Sequence, residues 1–136
     1  MTPVQDIYKR FLRQIGTDIL SELEQEIAEE IMYSYLENAL CEFDDWNEDL
    51  TIEDGYIVTD LTSSDKSLIA DVMVLCWLQP KINTEEILKV AVTDGDYTKK
   101  STASMLDKLL KLEEKMIKRV TRKKIKRSWK NKRLNE

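Results

Sequence analysis

The segment from residue 62 to residue 80, TSSDKSLIADVMVLCWLQP, decides the fold because it contains the longest apolar run of the chain. Thr62 and Asp65 have the spacing of a capping signal, so a helix is predicted to begin there and to end at Pro80. Only Asp71 interrupts the apolar run from Leu68 to Leu78. A helix that is apolar on all sides must be buried on all sides, either at the centre of a bundle or partly against another subunit. The residues expected to pack the core or a subunit contact are Leu68, Ile69, Val72, Met73, Cys76 and Trp77.

Two helices are predicted on the N-terminal side of this segment. The pattern Thr2-Pro3-Val4-Gln5 combines a capping threonine with a proline at the first helical position, so a first helix is expected from here to Gly16. A second, longer helix is expected from residue 17 or 18 to Phe43. Glutamate occupies many of its non-core positions, which indicates a surface that is solvated or that binds cationic groups.

Residues 44–60 break the helical period. The dipeptide Asp54-Gly55 lies between short β-forming runs, which predicts a β-hairpin or ordered loop near residues 51–58. Six acidic residues lie between residues 44 and 54, but the spacing of an EF-hand calcium loop with its closing glutamate is absent. We therefore interpret this segment as an acidic loop and not as a calcium site.

The C-terminal half predicts a short helix from Thr84, a polar loop over residues 93–98 and a last helix from Ser101. Within the last helix, the pairs Asp107–Lys111 and Glu114–Lys118 have the four-residue spacing that supports a helix. The predicted fold is all-α: a small bundle of four to five helices with a hairpin or ordered loop near 51–58 and a long basic C-terminal helix. We expect two parts, a helical domain over residues 1–114 and a basic helical extension over residues 115–136.

Charge is divided unevenly along the chain. Residues 1–98 carry 22 acidic and 6 basic residues, whereas residues 99–136 carry 15 basic and 4 acidic residues. Eleven basic residues and no acidic residue lie between Lys115 and Arg133. A tail of this kind repels itself unless it meets a nucleic acid, a membrane surface or the acidic face of another copy. The apolar face of the tail is too sparse to favour a membrane-surface helix.

The basic helix is the best candidate site in the sequence. It is a solvated, partly disordered terminus, a segment folded back on the acidic helix of its own chain, a protein-docking element, or a phosphate-binding helix without base readout. Trp129 beside Ile125 is more typical of a docking anchor than of a base-stacking residue. The residues expected to dock are Lys118, Arg119, Arg122, Lys123, Lys126, Arg127, Trp129 and Lys130.

Composition argues against most enzymes. The chain has no histidine, which removes the commonest general base and the usual zinc ligand sets. No glycine-rich phosphate loop is present, and we expect no catalytic residue, cofactor or metal. The N-terminus lacks the apolar run of a signal peptide, so the two cysteines, Cys41 and Cys76, are interpreted as reduced core thiols.

A set of core and turn residues carries a resemblance that spans roughly residues 18–120. It includes the acidic loop after residues 39–43 and continues through Leu61-Thr62-Ser63-Ser64-Asp65, Met73, Trp77, Pro80, Ile82, Leu88, Thr93, Asp96, Lys99 and Ser101. This spacing resembles the small head–tail connector (adaptor or neck) proteins of tailed bacteriophages. The basic extension after Val120 has no counterpart that we match to that family.

The resemblance implies an all-helical domain that repeats in a ring, usually twelvefold, beneath the portal protein. Such a ring extends the DNA channel, lets DNA pass without sequence-specific contact, and gives the tail or stopper protein a docking surface. The implied locations are the virion and, during assembly, the host cytoplasm, with no membrane partner. Our leading hypothesis is therefore a non-enzymatic connector. The alternative is a small nucleic-acid-binding regulator that uses the basic helix.

Overall fold

Helices dominate the computed structural model, which describes the backbone of residues 1–16, 24–91 and 96–134 and the side chains of residues 1–16, 24–84 and 104–130. The helices in these ranges are α1 (Val4–Ile15), α2 (Gln25–Leu40), α3 (Ser63–Ala91) and α4 (Asp96–Leu134), and a 3₁₀ turn, Cys41–Phe43, follows α2. The strands β1 (Thr2–Pro3), β2 (Ile52–Glu53) and β3 (Tyr56–Ile57) form an antiparallel sheet in the order β1-β3-β2. The mainly helical fold predicted from the sequence is confirmed.

The predicted hairpin is present as strands β2 and β3, in which Ile52 pairs with Ile57. Both central turn residues have positive φ angles, 51° at Asp54 and 80° at Gly55. Positive φ at both positions defines the turn that matches the twist of a two-residue hairpin, and glycine adopts it without steric cost. The third strand, β1, was not predicted. It pairs with β3 because the N-terminal residues run extended before α1 begins.

The predicted capping role of Thr2 is wrong. Its side chain is buried, and its Oγ1 donates a hydrogen bond to the Thr59 carbonyl (2.7 Å) and accepts one from the Leu61 N–H (2.8 Å). Pro3 occupies the N-cap position of α1 and provides no side-chain cap. The hydroxyl is therefore used to hold the segment before α3 against β1. Gly16 ends α1 as predicted, with φ of 88° and its N–H bonded to the Leu12 carbonyl.

Helix α3 begins as predicted but does not end at Pro80. The Asp65 N–H donates to Thr62 Oγ1 (3.1 Å), and the helix starts at Ser63. It then continues through Pro80 to Ala91, so the separate short helix predicted from Thr84 is part of α3. A proline inside a helix removes one N–H donor and crowds the carbonyl four residues earlier, but its fixed φ is compatible with the helix, and the Pro80 side chain is exposed. The Thr84 hydroxyl donates to the Pro80 carbonyl (2.9 Å) in the next turn.

Other predicted boundaries shift by a few residues. Helix α2 ends at Leu40 and the chain continues as a 3₁₀ turn to Phe43, which is a common way for a helix to end. Helix α4 begins at Asp96 instead of Ser101. The predicted start of the second helix at residue 17 or 18 and the loop residues 93–95 lie outside the described residues.

The chain divides into two units, Met1–Val74 and Leu75–Glu136. The first carries 18 acidic and 4 basic residues, and the second carries 17 basic and 8 acidic residues. In the first unit, the largest fully buried side chains come from α1, α2, the 3₁₀ turn, the hairpin and α3: Ile7, Phe11, Leu36, Phe43, Ile57, Leu68, Ile69 and Met73. The Phe11 and Tyr35 rings pack 5.9 Å apart and join α1 to α2. The domain boundary predicted at residue 115 stays a prediction.

Candidate docking surfaces

The residues predicted to pack the core divide into two groups along α3. Leu68, Ile69, Val72 and Met73 are buried, with at most 4% of each side chain exposed. The next predicted residues, Cys76 and Trp77, are only half-buried. The Lys81 ammonium lies 4.9 Å from the centre of the Trp77 ring, a cation–π contact at the surface.

The prediction that both cysteines are core thiols is wrong in detail. Cys41 is exposed at the start of the 3₁₀ turn and Cys76 is half-buried on α3. The two cysteines are not joined in a disulfide. Cys41 is exposed because it follows the exposed Tyr33 and Glu37 at four-residue spacing on the same helical side, whereas Phe43 in the 3₁₀ turn is buried.

Helix α4 has one covered side and one exposed side. Its covered positions recur every three or four residues, which is the spacing of a single helical face. They are the buried Leu106, Met116 and Val120 and the half-buried Leu109, Glu113, Lys123, Lys124 and Arg127. Two residues predicted to dock, Lys123 and Arg127, therefore belong to the covered side. Arg119 is also half-buried.

The exposed side of α4 carries the other predicted docking residues. Four of the predicted docking residues and the neighbouring Ile125 fall within an arc of about 100° at 3.6 residues per turn. We call this set the basic face: Lys118, Arg122, Ile125, Lys126 and Trp129. Its apolar members are strongly exposed, Ile125 at 54% and Trp129 at 62%. Lys130 is exposed at its edge. An exposed Trp–Ile pair surrounded by cations is suited to docking on an acidic surface that also offers apolar contact.

Two ion pairs stabilise α4 over the turns that lead into the basic face. Lys111 contacts Asp107 and Lys118 contacts Glu114, each at 3.0 Å and four residues apart, as predicted. All four side chains are largely exposed, so each pair contributes only a few tenths of a kcal/mol. Their effect is to favour the helix over its middle turns, from which the basic face continues.

A groove of about 470 Å³ lies in the Met1–Val74 unit, between the end of α2 and the segment that leads into β2. We call it the acidic groove. It is lined by Tyr33, Glu37, Leu40, Cys41, Phe43, Asp44, Trp46, Glu48, Asp49, Leu50, Thr51 and Ile52. Four carboxylates thus share a depression with two partly exposed aromatic rings. This combination is suited to a cationic side chain, which can pair with a carboxylate and lie against a ring.

Hydrogen bonds hold the loop side of the acidic groove. The Asp49 carboxylate accepts from the Thr51 hydroxyl (2.5 Å) and N–H (3.0 Å), and the Asp49 carbonyl accepts from the Thr59 hydroxyl (2.7 Å). The hydrogen bonds from Thr51 lower the pKa of Asp49, so this carboxylate keeps its negative charge further into the acidic range than an ordinary aspartate does. The Phe43 and Trp46 rings pack 4.5 Å apart, which joins the groove to the buried core.

Acidic side chains of α2 lie close enough to Tyr8 to affect its titration. Burial, followed by the neighbouring Glu29, Tyr33 and Glu37, raises the pKa of Tyr8 from 10.0 to about 12. Glu37 and Tyr33 also line the acidic groove. One row of α2 side chains therefore faces both α1 and the groove. The sequence pattern indicates the acidic loop residues but does not group them with Tyr33 and Trp46. The signal was available in the four-residue spacing of Tyr33, Glu37 and Cys41 on one helical face.

Within the part of the chain that the structure describes, no group of three or more cysteine, aspartate or glutamate side chains is arranged to hold a metal ion. No helix in those same ranges is long and apolar enough to cross a membrane. No family model, curated protein or solved structure matches this chain. The resemblance to phage connector proteins therefore stays a prediction.

Proposed function

We propose that this chain is a structural, non-enzymatic head–tail connector of a tailed phage virion. In this role it forms a ring below the portal protein, extends the DNA channel and docks the tail or stopper protein. The single observation that carries the proposal is the basic face, an exposed cationic surface with an apolar centre on a long C-terminal helix. In connector proteins, a terminal segment often engages the portal, and the basic face has the charge to enter an acidic groove of the portal or of a neighbouring subunit.

The buried apolar segment of α3 supports the same proposal. Residues Leu68–Val74 are covered, whereas Leu75, Cys76 and Trp77 are partly exposed. The partly exposed apolar positions offer contact area to a neighbouring subunit, as expected for a protein that works in a ring. We also propose that the helices form a small bundle and that the basic C-terminal helix is its docking element.

The test is mass in solution by light scattering, with the protein alone and with its cognate portal protein. A ring-sized species or a stable portal complex is the expected result. A protein that stays monomeric and does not bind portal contradicts the proposal. Replacing Arg122 and Lys126 with glutamate should weaken assembly of the ring on the portal without loss of helical signal in circular dichroism.

The second candidate function is a nucleic-acid-binding regulator. The observation that favours it is the exposure of Trp129 among cations, since a base can stack on such a ring while the cations contact phosphates. A gel shift at low salt distinguishes the two candidates. The regulator is favoured if the natural protein retains DNA, the Arg122→Glu, Lys126→Glu variant does not, and the natural protein does not bind portal.

A further inference from the structure

We infer that the basic face of one copy docks into the acidic groove of a second copy, so that the chain carries both halves of a head-to-tail contact. This inference rests on the proposed function, since it names the surfaces through which ring subunits would meet. It commits to one occupant of the groove, the basic face of another molecule of this chain.

Charge complementarity is the first reason. The unit that contains the groove has a net charge of −14, and the unit that contains the basic face has a net charge of +9. At the groove, Glu37, Asp44 and Asp49 are exposed carboxylates. Opposite charges on two surfaces steer encounter and exclude wrong orientations. Because the two surfaces differ, the contact is heterologous and can repeat from one copy to the next until a ring closes.

Matching chemistry is the second reason. The groove offers the Tyr33 and Trp46 rings beside its carboxylates, in an open depression of about 470 Å³ that side chains of a partner can reach. The basic face offers Arg122 and Lys126 beside Trp129. An arginine can donate to a carboxylate while its planar group lies on an aromatic ring. The tryptophan provides the apolar contact that a purely ionic surface lacks.

Exposure is the third reason. Ile125 and Trp129 are 54% and 62% exposed in the single chain. Tyr33 is 41% exposed at the groove. Apolar and aromatic groups gain free energy when they leave water, so both surfaces have apolar area to bury on contact. A second copy covers both surfaces at once in a repeating contact.

The test is a charge-swap experiment on the full-length protein. The groove variant carries Glu37→Lys and Asp44→Lys, and the face variant carries Arg122→Glu and Lys126→Glu. Asp49 is left unchanged because it holds the loop. Sedimentation velocity should show self-association of the natural protein and at least about tenfold weaker association of each variant. An equimolar mixture of the two variants should associate again, because each contact then pairs opposite charges. A chain that carries all four substitutions should also associate.

Each matched control changes the net charge by the same amount as the groove or face variant but leaves the acidic groove and the basic face unaltered. Glu26→Lys with Glu30→Lys changes exposed α2 residues that do not line the groove, and Lys108→Glu with Lys111→Glu changes exposed α4 residues two or more turns before the centre of the basic face. These variants should associate like the natural protein. Circular dichroism of every variant checks that the helices persist.

Three results would overturn the inference. The first is that the natural protein stays monomeric up to concentrations on the order of 1 mM. The second is that the groove and face variants associate as strongly as their controls. The third is that the mixture of the two variants does not regain association. Portal binding is measured separately. Portal binding with no charge-swap rescue would leave the connector proposal standing without this contact. Rescue with no portal binding would leave the contact standing and remove the connector proposal.

Discussion

At the scale of single residues, the buried Thr2 has the most specific structural role in strand β1. Its hydroxyl joins β1 to the backbone at Thr59 and Leu61. A valine has nearly the same shape but cannot accept from the buried Leu61 N–H. An unsatisfied buried donor costs about 1–3 kcal/mol. We therefore expect Thr2→Val to lower the free energy of unfolding in urea by that amount. Thr2→Ser, which keeps the hydroxyl, should lose clearly less; equal losses in the two variants would contradict the assigned role.

Tyr8 provides a pH-dependent prediction. Its folded-state pKa is about 12, above its ordinary value of 10.0. The folded chain therefore holds the phenol proton more tightly than the unfolded chain does. The resulting stabilisation is fully present below pH 10 and is lost as the pH rises towards 12. We expect Tyr8→Phe to reduce the loss of stability over this range, measured as the urea midpoint at several pH values. Tyr56→Phe, at an exposed tyrosine, is the control and should follow the natural protein.

At the scale of elements, α3 is the informative case because it contains Pro80 at an exposed position. In a helix interior, proline is about 3 kcal/mol less favourable than alanine, and part of this difference is offset because proline also restricts the unfolded chain. We expect Pro80→Ala to raise the free energy of unfolding by about 2 kcal/mol. The readout is helical circular dichroism in a urea titration.

The Pro80 prediction has a matched control in the neighbouring exposed residue. Gln79→Ala should change stability by only a few tenths of a kcal/mol, since both residues favour helices. If α3 ended at Pro80, as the sequence pattern had predicted, Pro80→Ala would give no gain. Equal effects of the two substitutions would therefore contradict a helix that continues to Ala91.

At the scale of the whole molecule, the separation of charge predicts how self-association responds to salt. Screening shortens the range of exposed charges from about 10 Å at 0.1 M salt to about 3 Å at 1 M. If the basic face docks into the acidic groove, association measured by sedimentation should weaken across this range. The Trp129 and Ile125 contacts are insensitive to such screening, so association should fall without vanishing. Association that strengthens with salt would indicate an apolar interface and contradict the charge-based contact.

Local features could be predicted because their causes lie within a few residues of one another. Thr62 begins α3 through a bond to the N–H of Asp65, three residues away. Asp54 and Gly55 form the hairpin turn because only their own backbone angles are involved. The ion pairs of α4 join residues four apart. The capping assignment of Thr2 failed because its hydroxyl bonds to residues almost sixty positions away.

The sequence by itself determined the mainly helical fold, the hairpin, the start of α3 and the division of charge, since each follows from composition or from neighbours in the chain. Only the tertiary structure decided that Tyr33 and Trp46 share a groove with Asp49, and which cations of α4 are exposed. The physical reason is that burial and proximity depend on how distant segments pack. A helical pattern places Arg122 and Arg127 on different sides of α4, but it does not specify which side is covered.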